Sequence, residues 1–180
     1  MFRKVLSLSF ALSLGGAAAA MAADAPAPVI TAAGAIHPLP QAAYQPDAKA
    51  TYKVVFALTK PSDKPGEVNP ALERVARAVN LYTSAGVPLS HLKFVAIAYG
   101  PATGLVLDDE HYRAQFGVAN PNLPVIAQLH KAGVDVAVCG QAMAEHKYDN
   151  SWASKDVTLA LSALTTISDL ERQGYALMPL

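Results

Sequence analysis

The stretch Leu92-Lys-Phe-Val-Ala-Ile-Ala-Tyr99 decides the fold, because only its lysine interrupts a continuous apolar run. Tyr52–Leu58 and Val134–Val138 have a similar character. Strands that are apolar on both faces, with helical patterns between them, are typical of a parallel sheet covered on both sides. The sequence therefore predicts a three-layer α/β sandwich with a mostly parallel sheet, completed by Val157–Leu161 and an edge strand at Tyr175–Met178.

The helices between these strands are predicted from their caps and their apolar spacing. The first has Asn69 as its cap and Pro70 at its first position, where the missing N–H costs nothing. A short extended piece is predicted at Thr103–Leu107. Four further helices are predicted: from the cap Asp108 to Phe116, from Asn120 or Asn122 to Gly133, from Gly140 to about His146, and from the cap Ser162 to Gly174.

The first 22 residues have the pattern of a signal peptide. Arg3 and Lys4 precede the apolar stretch Val5–Leu14, and Ala20-Met-Ala22 fits the small-x-small pattern of a cleavage site. The apolar run is about half of the roughly 20 residues that a membrane-spanning helix needs. We expect a mature protein that starts at Ala23 in a bacterial periplasm and has no membrane anchor.

Residues 23–50 differ in composition from the rest of the chain. They are rich in alanine and proline, and such proline density disfavours helices and central strands. Two interpretations are open: a partly disordered N-terminus, or an arm that packs across a neighbouring subunit. Residues 51–180 are then long enough for one domain with its own core.

The charge balance excludes one large class of partners. Removing residues 1–22 takes away Arg3 and Lys4 and no acidic residue, which changes the net charge from 0 to −2. There is no basic stripe and no RNA-binding motif, so we expect no nucleic-acid partner.

Cys139 is the only cysteine of the chain and ends an apolar strand. Reactive groups in parallel sheets lie beyond the carboxyl ends of strands, beside the N-terminus of the next helix. A helix that begins at Gly140 would stabilise a thiolate there and lower the thiol pKa. The equally simple alternative is a small buried hydrophobic residue. A disulfide between two subunits is a third alternative.

Several segments resemble the DsrE/DsrF-like (YchN-like) family. Val134-Asp-Val-Ala-Val-Cys-Gly-Gln-Ala-Met-Ala-Glu-His146 is similar to the family's cysteine strand and helix, and Leu129-His-Lys-Ala-Gly133 to the lead-in of that strand. Ala98-Tyr-Gly-Pro-Ala-Thr-Gly104 resembles its strand-to-glycine turn. Leu170-Glu-Arg-Gln-Gly-Tyr-Ala-Leu177 resembles its closing helix and edge strand. Together these segments extend over nearly all of residues 51–180.

The resemblance implies an α/β sandwich that assembles into homotrimers or hexamers. In the sulfur-relay branch of the family, the cysteine that matches Cys139 accepts sulfane sulfur as a persulfide and passes it on. Such a role needs a sulfur donor and an acceptor. Tyr99 stands where many relatives carry a histidine, and the relay branch is mostly cytoplasmic, whereas this chain carries an export signal.

Four residues are candidates for a pocket around the sulfur of Cys139. Gly140 lets the backbone approach closely, and Gln141 offers a side-chain donor in the first helical turn. Tyr99 ends the neighbouring strand, and His146 is a candidate for proton handling. The simpler readings are an ordinary helix-surface residue for Gln141 and a core aromatic residue for Tyr99.

Metal and cofactor sites find little support in the sequence. The five histidines have no close pairing and no second cysteine exists, so zinc is disfavoured. Asp108-Asp-Glu-His111 more simply complements a helix dipole than binds a cation. We expect no metal and no cofactor. Two functions remain: a periplasmic sulfur carrier acting through Cys139, or a non-catalytic oligomer that binds a small ligand or a partner and has a buried cysteine.

Overall fold

The structure is a computed structural model that describes residues 27–180. The predicted signal peptide lies outside the described residues. No helix within residues 27–180 combines the length and the apolar character that crossing a bilayer requires. The strands are β1 (Tyr52–Leu58), β2 (Leu92–Ala98), β3 (Asp135–Cys139), β4 (Thr158–Ala160) and β5 (Ala176–Pro179). The α-helices are α1 (Pro70–Ser84), α2 (Asp109–Phe116), α3 (Leu123–Lys131), α4 (Gly140–Glu145) and α5 (Ala163–Arg172).

The five strands form one sheet in the order β4-β3-β2-β1-β5, and every neighbouring pair is parallel. The predicted α/β class is confirmed, and the sheet is wholly parallel where a mostly parallel one was expected. Parallel neighbours cannot be joined by a tight turn, so each connection crosses over through helical segments. The carboxyl ends of β2, β3 and β4 therefore meet at one edge of the sheet.

The two faces of the sheet are buried by different helices. On one face, Phe56 and Phe94 pack in a large core with residues of α1 and α3. On the other face, a smaller cluster includes Val55, Ile97 and Cys139, with Ala163 and Ile167 of α5 packed against them. The central strands β1, β2 and β3 are apolar on both sides because both of their faces are covered.

The sequence-predicted helix caps hold for α1, α2 and α5. Asn69 Oδ1 accepts hydrogen bonds from the backbone N–H groups of Ala71 and Leu72, at 2.9 and 3.3 Å. Asp108 accepts from the His111 N–H at 2.8 Å. Each cap satisfies a backbone donor that has no partner inside its helix.

One prediction between β2 and α2 is wrong. Residues Gly100–Val106 form a 3₁₀ helix, whereas an extended piece was predicted at Thr103–Leu107. Gly100 has a positive φ of 53°, and the Thr103 hydroxyl donates to the Gly100 carbonyl at 2.7 Å, which closes a turn. Only Leu107 makes an extended contact, an isolated antiparallel bridge to Ala153.

Part of the Pro/Ala-rich segment packs on the domain of its own chain. Ile30 is buried in the larger core, against the side formed by α1 and α3. Most of the residues between 35 and 50 are exposed. The segment therefore has an anchored part and an exposed connection to β1.

Candidate functional site

Cys139 is the last residue of β3, and α4 begins at the next residue. It pairs with Ala160 of β4 across the sheet. Its side chain belongs to the smaller core cluster and the residue is only 5% exposed. The sequence-predicted position, at a strand end beside a helix N-terminus, is confirmed.

The N-terminus of a second helix, α5, also lies beside the sulfur of Cys139. Ser162 is the N-cap of α5, where its Oγ accepts a hydrogen bond from the Leu164 N–H at 3.2 Å. The same Oγ lies 4.0 Å from Cys139 Sγ, at the distance of a weak sulfur contact. The first turns of α4 and α5 thus both face the sulfur.

These surroundings set the protonation of the Cys139 thiol. Burial raises the thiol pKa, because it disfavours the charged form. The backbone N–H groups of Ala163, Ala142 and Gln141 and the hydroxyl of Ser162 act in the opposite direction, because they stabilise a thiolate. The net result is a thiol pKa below its ordinary value.

Sequence reasoning missed the contribution of Ser162 and Ala163. Ser162 was predicted as a helix cap, but only the order of the strands shows that β4, which precedes Ser162, lies beside β3. Part of the signal was available, because β4 ends two residues before Ser162 and neighbouring parallel strands end at the same edge of the sheet. Without the strand order, the distance between residues 139 and 162 could not be derived.

Gly140 allows the turn after β3 to approach the end of β4. A Cβ atom at Gly140 would lie 2.9 Å from the carbonyl oxygen of Ala160 and 3.5 Å from that of Leu161. Real Cβ atoms essentially never lie within 3.0 Å of another heavy atom, so the distance to Ala160 is too short for a side chain at residue 140. The predicted close approach therefore exists, and the approaching group is the chain's own backbone.

Gln141 bridges the two helix N-termini from the outside. Its side chain is exposed, and its Nε2 donates to the Leu161 carbonyl at 3.4 Å. Gly140 and Gln141 also line an open cavity of about 580 Å³. The other lining residues are Ala144, Tyr148, Asp149, Asn150, Leu159, Ala160 and Leu161.

Tyr99 and His146 lie at the same edge of the sheet in different surroundings. Tyr99 follows β2 and packs, partly buried, against the cluster that contains Cys139. The Nε2 of His146 lies 3.0 Å from the Gly100 carbonyl oxygen, and its ring stacks on Tyr148. A contact with a carbonyl makes Nε2 the nitrogen that carries the proton. This nitrogen is therefore engaged with the turn after β2.

The acidic residues at the start of α2 have local partners. Asp108 caps the helix and both of its carboxylate oxygens contact the His111 ring, at 2.8 and 2.9 Å. Asp109 accepts from the Asn120 N–H and from Arg113. Within residues 27–180, no three His, Cys, Asp or Glu residues lie together in a way that could hold a metal ion.

The comparisons with known proteins agree with this architecture. The DsrE/DsrF-like family model matches residues 53–180, which is well over half of the chain. The chain belongs to the DsrE/DsrF-like family. A solved structure of a protein of unknown function, MTH1491 from Methanobacterium thermoautotrophicum, is similar with a TM-score of 0.54. The match has 17% sequence identity and covers 72% of this chain and 99% of that one, which shows the shared fold. No curated protein matches this chain.

Replacing Ser162 by alanine should raise the pKa of the Cys139 thiol, because it removes one of the groups that stabilise the thiolate. The pH dependence of alkylation by a neutral reagent measures this change, and its midpoint should move to higher pH. The variant should also lose about 1 kcal/mol of unfolding free energy through the lost cap. Ser162→Thr keeps a hydroxyl and should restore the midpoint, while the exposed Ser168→Ala should leave it unchanged. An unmoved midpoint in Ser162→Ala would contradict the assigned role.

Replacing Gly140 by alanine should destabilise the domain, because the new Cβ would push against the Ala160 carbonyl. We expect a loss of about 1–3 kcal/mol in the free energy of unfolding, the usual cost of overpacking, measured by denaturant titration. Gly66→Ala is the matched control, since a Cβ there meets no atom within 4 Å. Equal stabilities of the two variants would show that the turn can relax without cost.

Proposed function

We propose that this DsrE-family chain is a periplasmic sulfur carrier that acts through Cys139. The observation that supports the proposal is the convergence of two helix N-termini on one sulfur, which lowers the thiol pKa despite burial. A thiolate is the nucleophile in sulfur exchange, and a persulfide anion would be stabilised by the same backbone N–H groups.

The proposed reaction exchanges one sulfur–sulfur bond for another. The Cys139 thiolate attacks the outer sulfur of a donor R–S–SH, forms Cys–S–SH and releases R–S⁻. An acceptor thiolate then attacks the outer sulfur of the Cys139 persulfide. The acceptor leaves as a persulfide, and Cys139 returns to its thiolate form. Neither step has a net oxidation, so no redox cofactor takes part.

The burial of Cys139 sets a condition for this chemistry. Its sulfur lies behind the turn that connects β4 with α5, where Leu161 is exposed and Ser162 is buried. In the proposed reaction, this turn moves outward and admits the donor to the sulfur. The turn is short and crosses the sheet edge, where local opening costs less than opening a core strand.

The same burial favours a second candidate function, a non-catalytic oligomer that binds a small ligand or a partner. In that case Cys139 is a packing residue of the smaller cluster. The two functions differ in whether the thiol of the native protein reacts. Rapid modification by a thiol reagent contradicts the packing role, and complete protection contradicts the carrier role.

The carrier function predicts a covalent sulfur adduct on Cys139. After incubation with a sulfane-sulfur donor, the intact mass of the mature chain should increase by the mass of one sulfur atom, and the increase should disappear on reduction. Cys139→Ser is the matched control and should show no adduct. An unchanged mass of the unsubstituted chain, under conditions in which the unfolded chain is modified, would exclude the carrier function.

We also propose that the chain forms homo-oligomers, trimers or hexamers, through a surface beside Cys139. Leu161 is 73% and Leu164 is 83% exposed, and they flank Ser162 at the start of α5. Leu159 of β4 is also exposed. We call Leu159, Leu161 and Leu164 the leucine surface. Adjacent exposed apolar residues of this size mark interaction sites more often than isolated ones do.

Replacing Leu161 and Leu164 together by serine should reduce self-association, because burial of these side chains would be lost. Light scattering coupled to size-exclusion chromatography measures the molar mass of the unsubstituted chain and the variant. Val118→Ser, at an exposed position that belongs neither to the leucine surface nor to the arm connection, is the control and should keep the parent mass. An oligomer that persists in the double variant would place the interface elsewhere.

A further inference from the structure

The side of the domain formed by α1 and α3 binds the backbone of residues 30–34, which belong to the Pro/Ala-rich N-terminal segment. Asn80 of α1 is almost completely buried. Its Oδ1 accepts from the Ile30 N–H at 2.9 Å, and its Nδ2 donates to the carbonyls of Ile30 and Gly34 at 2.8 and 2.9 Å. One side chain thus holds both backbone groups of Ile30, whose own side chain is 1% exposed.

Two further contacts define which segment can bind here. Gln128 of α3 accepts from the N–H groups of Thr31 and Ala32, at 2.7 and 3.1 Å. At Gly34, a Cβ atom would lie 2.4 Å from the backbone nitrogen of Arg77, and φ is +76°. The site therefore selects an extended segment with an apolar residue at its start and glycine four residues later. We call residues 30–34 the arm and its site on α1 and α3 the arm site.

The connection between the arm and β1 lines an open cavity beside the end of α1 and contains a strained residue. A turn at residues 39–45 is closed by the Ala42 N–H donating to the Leu39 carbonyl and by Gln45 Nε2 donating to the carbonyls of Leu39 and Ala42. Tyr44 has a positive φ of 59°, and its side chain is fully exposed. Aromatic residues rarely adopt this conformation, and the exposed side chain gains no burial in return.

We propose that the arm exchanges between two copies of this chain, so that the arm of each copy occupies the arm site of the other. The contacts of residues 30–34 are identical in the closed and the exchanged forms, because only the connection changes its path. Opening the turn at Tyr44 removes the strained conformation, and strained hinge loops favour exchange of this kind. Because the connection contains Pro38, Pro40 and Pro46, it is stiff when extended, at about 3.1 Å per residue.

The partner at the arm site is thus a second copy of the same chain, contacted through α1 and α3. The leucine surface, at the β4 edge and the start of α5, is a different part of the molecule. The exchange does not depend on the chemistry of Cys139, so the failure of one proposal leaves the other standing.

A pair of introduced cysteines distinguishes the closed from the exchanged form. Thr31 Oγ1 and Gln128 Nε2 are 3.2 Å apart, so cysteines at these two positions lie within the span of a short bifunctional maleimide reagent, while the contacts of Asn80 with Ile30 and Gly34 keep the arm docked. In the full mature chain with Cys139→Ser, this reagent should link the two cysteines within one chain in the closed form and between two chains in the exchanged form. After incubation at high protein concentration, a non-reducing gel should show covalent dimers whose fraction increases with the concentration during incubation.

Two hinge variants test the cause of the exchange. Tyr44→Gly accepts the positive φ and should lower the dimer fraction, by at least about fivefold, because strain of this kind is worth of the order of 1 kcal/mol or more. Gln45→Ala removes the two side-chain hydrogen bonds of the turn and should raise the fraction. Ile30→Asp should abolish docking of the arm and with it both kinds of cross-link.

Each result of these experiments either supports or overturns the exchange of the arm. Dimers that respond to both hinge variants in the stated directions support the exchange. Only intrachain cross-links at every concentration, including in Gln45→Ala, would overturn it. Dimers that are equally abundant in Ile30→Asp or unaffected by the hinge variants would show random collision, and would also overturn it. Light scattering of the Tyr44→Gly and Gln45→Ala variants, each combined with Leu161→Ser and Leu164→Ser to remove association through the leucine surface, gives the same comparison without introduced cysteines.

Discussion

The close approach of two backbone turns at the carboxyl edge of the sheet is the constraint on which the site depends. Gly140 has no side chain, so the Ala160 carbonyl oxygen can lie only 2.9 Å from the position that a Cβ would take. This approach brings the cap of α5 to the sulfur of Cys139, which the N-terminus of α4 already faces. Together, the backbone N–H groups at both helix ends and the Ser162 hydroxyl outweigh the cost of burying the Cys139 thiol, and the thiol pKa is lowered.

The same closure that stabilises a thiolate also restricts access to it. A buried sulfur that faces several backbone donors has the electrostatics of a reactive thiol and the exposure of a structural one. The proposed sulfur transfer therefore requires that the site opens. In that proposal the segment Leu161–Ser162 moves. It joins a three-residue edge strand to a helix, and Leu161 is exposed rather than packed in the core.

The sequence allowed the fold to be predicted in detail where apolar pattern and capping chemistry act locally. The strands β1 to β3 are apolar on both faces, and Asn69, Asp108 and Ser162 cap their helices as expected. The turn after β2 was predicted wrongly, because the hydroxyl of Thr103 stabilises a 3₁₀ helix over an apolar stretch that is equally suited to a strand. The position of Cys139 followed from topology, but its contact with Ser162 depended on the strand order, which no local pattern encodes. The anchoring of Ile30 by Asn80 joins residues 50 positions apart, and its signal was a single asparagine on an otherwise apolar helix face.

The two faces of the sheet differ in what covers them, and this difference bears on assembly. On one side, α1 and α3 are completed by Ile30 from the arm, so their apolar side is satisfied by the chain itself or, after exchange, by an identical segment. On the other side α5 buries a smaller cluster, and Leu164 of its first turn faces solvent. Because hydrophobic stabilisation increases with the apolar area removed from water, the side on which Leu161 and Leu164 are most exposed gains most from a partner. A partner there would also cover the turn over Cys139, so assembly and access to the sulfur would be coupled through Leu161 and Leu164.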